Sequence, residues 1–186
     1  MAIKFYKPTT PGRRKMTGID YSGLTKKKPE KSLLLPQKSK SGRNAHGHIT
    51  IRHRGGGEKQ HYRIIDFKST DKLNIPAKVL SLEYDPNRTP FIALVVYLDG
   101  EKRYILAPEG LKVGDAIMTA ENLKPNVGNR MQIKNIPVGV NIYNVELSLG
   151  RGGQIVRSAG TSARLMSLDG DMAQIALPSG EVRFVH

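Results

Sequence analysis

The feature that most constrains the fold is a series of short β-type runs that begins near residue 60. The runs are rich in β-branched and aromatic residues, and glycine-containing turns separate several of them. The first set comprises YRIIDF, AKVLSLEY, FIALVVYL, KRYILA and AIMTA, and the second comprises NIYNVELSL, GQIVRSA, ARLMSL, MAQIAL and EVRFV. Asp99-Gly100 lies between two runs and predicts a type I′ hairpin turn. No long stretch keeps a helical period, so the sequence predicts an all-β fold.

The two sets are separated by KPNVGNRMQ, at residues 124–132, which interrupts the strand pattern. Two sets of about five short strands predict two small barrels, because barrel closure removes the exposed sheet edges. We therefore expect an arm over residues 1–59, a first barrel over residues 60–124 and a second barrel over residues 125–186. A single ten-stranded sandwich is the alternative architecture.

The positive charge of the chain is concentrated in its first third. Of a net charge of +14, residues 1–63 carry 16 lysines and arginines against three aspartates and glutamates, whereas residues 64–186 carry 14 against 13. Cations at this density repel one another unless a polyanion lies nearby, so the asymmetry predicts a nucleic-acid partner. An anionic membrane surface and a solubilising tail are the alternatives.

The N-terminal residues 1–47 do not predict a packed domain. Four prolines interrupt them, and no helical or strand period persists. Such a segment buries too little apolar surface to offset its ordering entropy, so we expect it to be disordered on its own. Leu33, Leu34 and Leu35 are the exception and predict one anchoring contact.

Composition excludes several kinds of site. The chain has no cysteine, which excludes disulfides and thiolate metal ligands and suits a reducing cytosol. The longest apolar run, FIALVVYL at residues 91–98, is too short to span a membrane, and the N-terminus lacks the apolar core of a signal peptide. We therefore expect a cytoplasmic protein with no membrane partner.

Two glycine-rich segments resemble nucleotide loops only superficially. RHRGGGEKQ, at residues 52–60, lacks the G-x-x-x-x-G-K-[ST] arrangement, and GRGGQI, at residues 150–155, lacks both the dinucleotide frame and a following helix. Four histidines between His46 and His61 lie among cations that oppose a divalent ion. We predict no catalytic residue, no metal, no cofactor and no small-molecule substrate. An RNA-modifying enzyme with a nucleotide-binding loop is the rival interpretation.

Recognition by arginine, lysine and backbone amides remains. Glycine lets the main chain approach a sugar-phosphate surface, and arginine donates to phosphate in a bidentate manner. Both RHRGGG and GRGGQIVR combine these residues. Aromatic residues make up only 6% of the chain, too few for single-strand stacking platforms, and no recognition helix for DNA is evident. Folded RNA, bound through its shape and backbone, is the favoured partner.

Two arginines of the barrels are distinguished by their context. The turn Asp85-Pro86-Asn87 predicts that Arg88 is held out at a barrel rim, where it contacts RNA or, alternatively, pairs with Asp85. Arg157 lies in an apolar run and either pairs within the fold or faces a phosphate, and its glycine-rich neighbours favour phosphate.

The complete set of predicted RNA-binding residues shares a basic or glycine-rich setting. The set is Arg13, Arg14, Arg43, Asn44, Arg52, His53, Arg54, Gly55, Gly56, Gly57, Arg63, Arg88, Arg103, Arg151 and Arg157.

Longer segments resemble the bacterial large ribosomal subunit protein two family. The matching segments include YKPTTPGRRKMTG, SGRNAHGHITIRHRGGGEKQHYRIIDF, LEYDPNR, IALVVYLDGEKRYILAP and GRGGQIVRSAGTSA, in order over nearly the whole chain. The resemblance implies an extended arm, then an oligonucleotide/oligosaccharide-binding (OB)-type barrel, then an SH3-like barrel. It also implies binding to large-subunit rRNA near the peptidyl transferase region, with neighbouring ribosomal proteins and small-subunit rRNA as further contacts. The implied roles are assembly, subunit association and support of peptide-bond formation by the RNA.

The resemblance also carries residue roles. In the family, the arginines of EYDPNR and GRGGQIVR, here Arg88 and Arg157, bind rRNA. Family members continue beyond the SGEVR segment into a basic, glycine-rich tail whose histidine has been linked to peptidyl transfer. The sequence here reaches His186, which lies outside that motif. The second barrel is therefore expected to lack its final strand, and functions carried by the tail are in doubt.

Overall fold

The computed structural model describes residues 3–185, so Met1, Ala2 and His186 lie outside the description. The described chain is all-β, as predicted, with short 3-10 turns between strands. Its strands are β1 (Ile3–Phe5), β2 (Thr17–Ile19), β3 (Leu34–Pro36), β4 (His61–Arg63), β5 (Ala77–Glu83), β6 (Ile92–Tyr97), β7 (Lys102–Leu106), β8 (Ala116–Ile117), β9 (Asn141–Ile142), β10 (Ala163–Asp169), β11 (Met172–Ala176) and β12 (Val182–Val185).

The first barrel is an antiparallel sheet in the order β7-β6-β5-β8, closed by residues 65–74. At one sheet edge the Asp66 amide donates to the Tyr104 carbonyl at 2.8 Å, and at the other the Asn74 amide donates to the Thr119 carbonyl at 2.8 Å. Residues Ile92–Val95 of β6 are all buried, because separate apolar clusters cover the two faces of this strand. The strands predicted at AKVLSLEY, FIALVVYL and KRYILA are confirmed, whereas AIMTA forms only the two-residue β8 and YRIIDF contributes β4, which pairs with the arm, and a bridge at Ile65.

The hairpin between β6 and β7 forms as predicted, but its turn is not type I′. A type I′ turn requires positive φ at both central residues, and only Gly100, at 85°, has it. The Gly100 amide donates to the Tyr97 carbonyl at 2.9 Å, and the Tyr97 amide donates to the Glu101 carbonyl at 2.9 Å. This geometry is a type I turn followed by a left-handed glycine, which the same Asp-Gly pair also accommodates.

The arm is attached to the first barrel at several points. β3 pairs with β4, and Leu33 packs into the cluster around Tyr104, which confirms the predicted anchor. The Glu30 amide donates to the Tyr104 hydroxyl at 2.9 Å. Thr25 bonds both the amide and the carbonyl of Leu82 on β5, so the arm covers a sheet edge that would otherwise be open. β1 and β2 form a separate ribbon with no buried residue.

The second barrel contains an antiparallel sheet in the order β12-β11-β10-β9, with its own core around Leu165 and Ile175. Two separate cores agree with two barrels and not with a single ten-stranded sandwich. GQIVRSA is not the predicted strand. It contributes only a bridge between Ile155 and Val145, and Val156 has a left-handed φ of 56° that interrupts extended structure.

The two barrels share an apolar junction. Tyr143 of the second barrel packs with Phe67, Ile92 and Tyr104 of the first, and Leu33 of the arm joins them. Burial raises the pKa of the Tyr143 hydroxyl to about 12. The arm and both barrels therefore contribute to one cluster.

Candidate nucleic-acid interface

Residues 39–55, here called the basic loop, fold back on themselves. The Gly42 carbonyl accepts hydrogen bonds from the Thr50 amide at 2.9 Å and from the Ile51 amide at 3.2 Å. The Asn44 side-chain oxygen accepts from the amides of His46 and His48, both at 3.0 Å. The sequence predicts that Asn44 binds RNA. In the structure its side-chain oxygen, Oδ1, stabilises the fold of the basic loop.

The three consecutive glycines differ in their surroundings. A Cβ on Gly55 would lie 3.0 Å from the Ser41 side chain, whereas a Cβ on Gly56 or Gly57 would meet nothing within 4 Å. Gly55 and Gly56 also have positive φ, at 112° and 72°, and Gly57 does not. Gly55 is therefore required for packing of the basic loop, while Gly56 serves the path of the backbone.

The cations of the arm have almost no partners within the protein. Of the 16 lysines and arginines in residues 1–63, only Arg63 forms an ion pair within residues 3–185. The predicted residues Arg43, Arg52, His53 and Arg54 are exposed on the basic loop. Arg13 and Arg14 are exposed between β1 and β2, with the Arg13 guanidinium 5.6 Å from the Tyr6 ring centroid.

Arg88 is anchored by a buried carboxylate. Asp85 is fully buried, and its two oxygens accept from Arg88 Nε at 2.6 Å and from Arg63 Nη1 at 3.4 Å. The Asn87 amide donates to the same carboxylate at 2.9 Å. The side chain of Arg88 is only 15% exposed. The turn therefore ties Arg88 to Asp85, as the alternative sequence interpretation expected, and its contact with RNA stays a prediction.

Phe67 is the centre of the junction between the barrels. Its ring lies under the guanidinium groups of Arg157, at 4.9 Å, and Arg88, at 6.0 Å. Its carbonyl accepts from Arg130 Nη1 at 2.6 Å and from the Gly153 amide at 3.0 Å. The fold thus brings Arg63, Arg88 and Arg157 together, although they are far apart in sequence. Arg157 is the exposed member of the three.

Arg103 is surrounded by carboxylates. It pairs with Asp66 at 2.7 Å, with Glu101 at 2.7 Å and with Asp71. Hydrogen bonding by Arg103 lowers the pKa of Asp71 to about 2. Burial opposes ionisation of Asp66, but the bonds from Arg103 and two backbone amides outweigh it and lower the pKa of that carboxyl. Arg151, also predicted to bind RNA, is exposed beside a cavity of about 520 Å³ that Arg103 lines as well.

Sequence reasoning missed two kinds of residue. Lys40 and Ser41 lie beside Arg43 and Arg54 around a cavity in the basic loop, and the run SKSGR was the available signal. Arg130 supports the junction through the Phe67 carbonyl and Glu146, contacts that no local pattern indicated.

Two kinds of feature are not found in residues 3–185. No helix there is long and apolar enough to cross a membrane. Nor does that part of the chain bring together three or more histidine, aspartate or glutamate side chains that could hold a metal ion.

Family models match most of the chain. The model described as Ribosomal Proteins L2, RNA binding N-terminal domain, matches residues 30–119, and the model described as Ribosomal Proteins L2, C-terminal domain, matches residues 126–186. These domains are OB-like and SH3-like, which confirms the predicted barrel types. The first match begins within the predicted arm, and the boundaries near residues 60 and 125 stay predictions. The chain belongs to the ribosomal protein L2 family, whose members are RNA-binding proteins of the large ribosomal subunit.

Proposed function

We propose that this protein is a structural component of the large subunit that binds large-subunit rRNA near the peptidyl transferase region. It supports assembly, subunit association and peptide-bond formation, and the chemistry of that reaction belongs to the RNA. In this role the protein is not an enzyme, needs no cofactor, and acts in the cytoplasm on the ribosome beside other ribosomal proteins. Its contacts include small-subunit rRNA across the subunit interface.

The unpaired charge of the arm is the observation that carries this proposal. No lysine or arginine of the arm, residues 1–59, has a carboxylate partner among the described residues, whereas Arg63, Arg88, Arg103 and Arg130 in the barrels are paired. Unpaired cations at this density favour a polyanion that neutralises them. Arg157, exposed above Phe67, gives the junction a further cation for phosphate.

Co-sedimentation tests the association with the subunit. The protein is expected to remain with large subunits after a wash at high salt, because many contacts form together. Release into the supernatant along with loosely bound basic proteins would contradict a structural role. A calorimetric titration with mononucleotides checks the rival enzyme interpretation, which requires saturable binding.

The position on the rRNA needs its own test. The sequence has no cysteine, so Ser158→Cys next to Arg157 gives a single site for a tethered RNA-cleaving reagent. Ser179→Cys, in the turn before β12, provides a second position on the same protein. Cleavage from position 158 is expected around the peptidyl transferase region, with a different pattern from position 179. Cuts confined to remote rRNA domains would refute this placement.

A further inference from the structure

The basic loop forms an open cavity of about 300 Å³ on the protein surface. This is roughly ten times the volume of one liquid water, about 30 Å³, so it can hold a phosphate group and part of the attached sugar. The cavity exists because Gly42 and Gly55 lack side chains. A Cβ on Gly42 would collide with the Ile51 carbonyl, and one on Gly55 would press on Ser41.

The lining of this cavity is cationic and rich in hydroxyls. Lys40, Arg43 and Arg54 line it together with the hydroxyl residues Ser39, Ser41 and Thr50, and no carboxylate does. None of the three cations forms an ion pair within residues 3–185. The site therefore has donors and positive charge but no anion of its own.

The backbone adds donors at the same place. The amides of Gly42, Arg54 and Gly55 have no hydrogen-bond acceptor among the described residues. Ser41 and Gly42 are successive residues with left-handed φ, at 48° and 69°. They are the central residues of a turn closed by the Arg43 amide, which donates to the Lys40 carbonyl at 2.9 Å, and successive amides in a turn can form a concave surface that suits anions.

We infer that the basic loop is a preformed site for one phosphodiester group of RNA, held by Lys40, Arg43 and Arg54 and by the Ser41 hydroxyl. The inference rests on the proposed function, because rRNA supplies the phosphate. It differs from a diffuse charge effect, because the open cavity of the basic loop would hold one particular phosphate by direct hydrogen bonds, whereas the rest of the arm attracts phosphates by charge alone.

The first test is an NMR titration of the whole chain with inorganic phosphate. We expect saturable shifts of amides within residues 39–55. Arg54→Gln should weaken this binding about tenfold, about 1.4 kcal/mol, as expected when a bond to a charged group is lost. Arg52→Gln is the control: it removes the same charge two residues away, but the Arg52 side chain does not line the cavity. This variant should change the phosphate affinity less than about twofold.

A second pair of variants keeps the charge constant. Gly55→Ala intrudes on Ser41, whereas Gly56→Ala meets no atom within 4 Å, and both positions have positive φ. Only Gly55→Ala is expected to abolish the phosphate shifts. Equal losses in both members of either pair would overturn the inference and leave only general attraction between charges.

A competition experiment with an rRNA fragment separates this inference from the proposed function. A bound rRNA fragment should exclude inorganic phosphate from the cavity. If the fragment binds and phosphate still enters, the cavity is not an rRNA phosphate site, although the proposed function stands. If phosphate binds and no rRNA fragment does, the proposed function fails, and with it the assignment to RNA.

Discussion

The buried carboxylate of Asp85 gives Arg88 a structural role, because the two side chains form an ion pair. Two arginines and the Asn87 amide converge on it, and no water-exposed surface remains on the residue. Loss of one partner from a buried pair leaves an uncompensated charge, which costs far more than the loss of an exposed contact. Arg88 and Arg157 both lie over Phe67, but only Arg88 is part of this buried set.

The two arginines should therefore separate in stability measurements. Arg88→Ala is expected to lower the free energy of unfolding by about 3 kcal/mol, the low end for a broken buried pair, because Arg63 and Asn87 still donate to Asp85. Arg157→Ala should lower it by only about 0.5–1 kcal/mol, the value of an exposed cation–π contact. Urea unfolding measures both values, and similar losses would contradict the assigned roles.

Binding measurements complete this comparison. Both variants are expected to bind an rRNA fragment less tightly than the parent when each is assayed well below its own unfolding midpoint. If Arg157→Ala bound like the parent, the predicted contact between this residue and rRNA would be wrong.

The cluster around Arg103 predicts a particular pH dependence. Because the pKa values of Asp66 and Asp71 are lowered in the fold, their contribution to stability is present above the ordinary value of 3.8. It is lost as the pH falls through the folded values, which for Asp71 is about 2. The parent should lose stability between about pH 4 and pH 2, and Arg103→Gln should reduce this pH dependence.

Urea unfolding at pH 7, 4 and 3 checks this prediction. Arg103→Gln is expected to cost about 1–3 kcal/mol at pH 7, and its difference from the parent should shrink as the medium is acidified. Arg183→Gln is the control, because Arg183 and Glu181 form an exposed pair that contributes little. A constant difference across the pH range would show that Arg103 acts through packing alone.

Which arginines would be partly buried against carboxylates could not be predicted from the sequence. Arg88 follows a polar turn and Arg103 lies in a strand, and both patterns are compatible with an exposed side chain. For Arg88, the sequence left open whether it pairs with Asp85 or contacts RNA. For Arg103, the partner Asp66 is distant in sequence, so no local pattern indicated the pair. By contrast, the exposed basic loop agreed with its composition, because a segment rich in like charges cannot pair within itself.

At the scale of elements, the strands of the first barrel were predictable because each depends on a local pattern. Residues of β5 alternate between buried and more exposed positions, as a half-buried strand requires. GQIVRSA was mispredicted because contacts from outside the segment determine its path. The Gly153 amide donates to Phe67, and a Cβ on Gly153 would collide with Asn144. The arm's attachments through Thr25 and Glu30 were missed for the same reason, since both residues bond to distant strands, whereas the anchor at Leu33 was predicted.

The close approach of Gly152 to the Phe67 carbonyl can be tested with a matched pair of variants. A Cβ on Gly152 would lie 2.8 Å from the Phe67 carbonyl, whereas one on Gly150 would meet nothing within 4 Å, and the two have similar φ, 82° and 77°. Both alanine variants carry the strain of a left-handed residue, about 1–2 kcal/mol. Gly152→Ala should lose about 1–3 kcal/mol more, through overpacking. Equal losses in chemical denaturation would show that the junction tolerates a wider separation.

At the scale of the whole molecule, the barrels carry nearly equal numbers of positive and negative side chains, whereas the arm carries a large excess of positive ones. If the protein contacts about 6–10 phosphates, its affinity for an rRNA fragment should fall about 10³–10⁵-fold between 50 and 200 mM salt, taking duplex DNA as a guide. A nearly flat salt dependence would refute the electrostatic part of the binding.

The location of the charge can be tested with two variants of equal net charge. Each arm phosphate contact that is removed should reduce the slope of log affinity against log salt by about 1. The first variant replaces four arm cations by glutamine, namely Lys40, Arg43, Arg52 and Arg54. The control replaces four exposed barrel cations, namely Lys78, Lys112, Lys134 and Arg183. We expect the slope to change much more in the first variant, and equal changes would show that net charge alone determines binding.

The hydrogen bonds to Phe67 also have a consequence for protein synthesis. The ribosome makes Phe67 86 residues before Gly153, and at 5–20 residues per second this interval lasts about 4–17 s. During that time the first barrel can complete its own sheet, but its aromatic face lacks the cover that Tyr143 and Arg157 later provide. The nascent chain therefore passes through a period in which the folded first barrel exposes an apolar surface that is prone to aggregate. That period ends when the segment around residue 153 emerges, and not when the first barrel is finished.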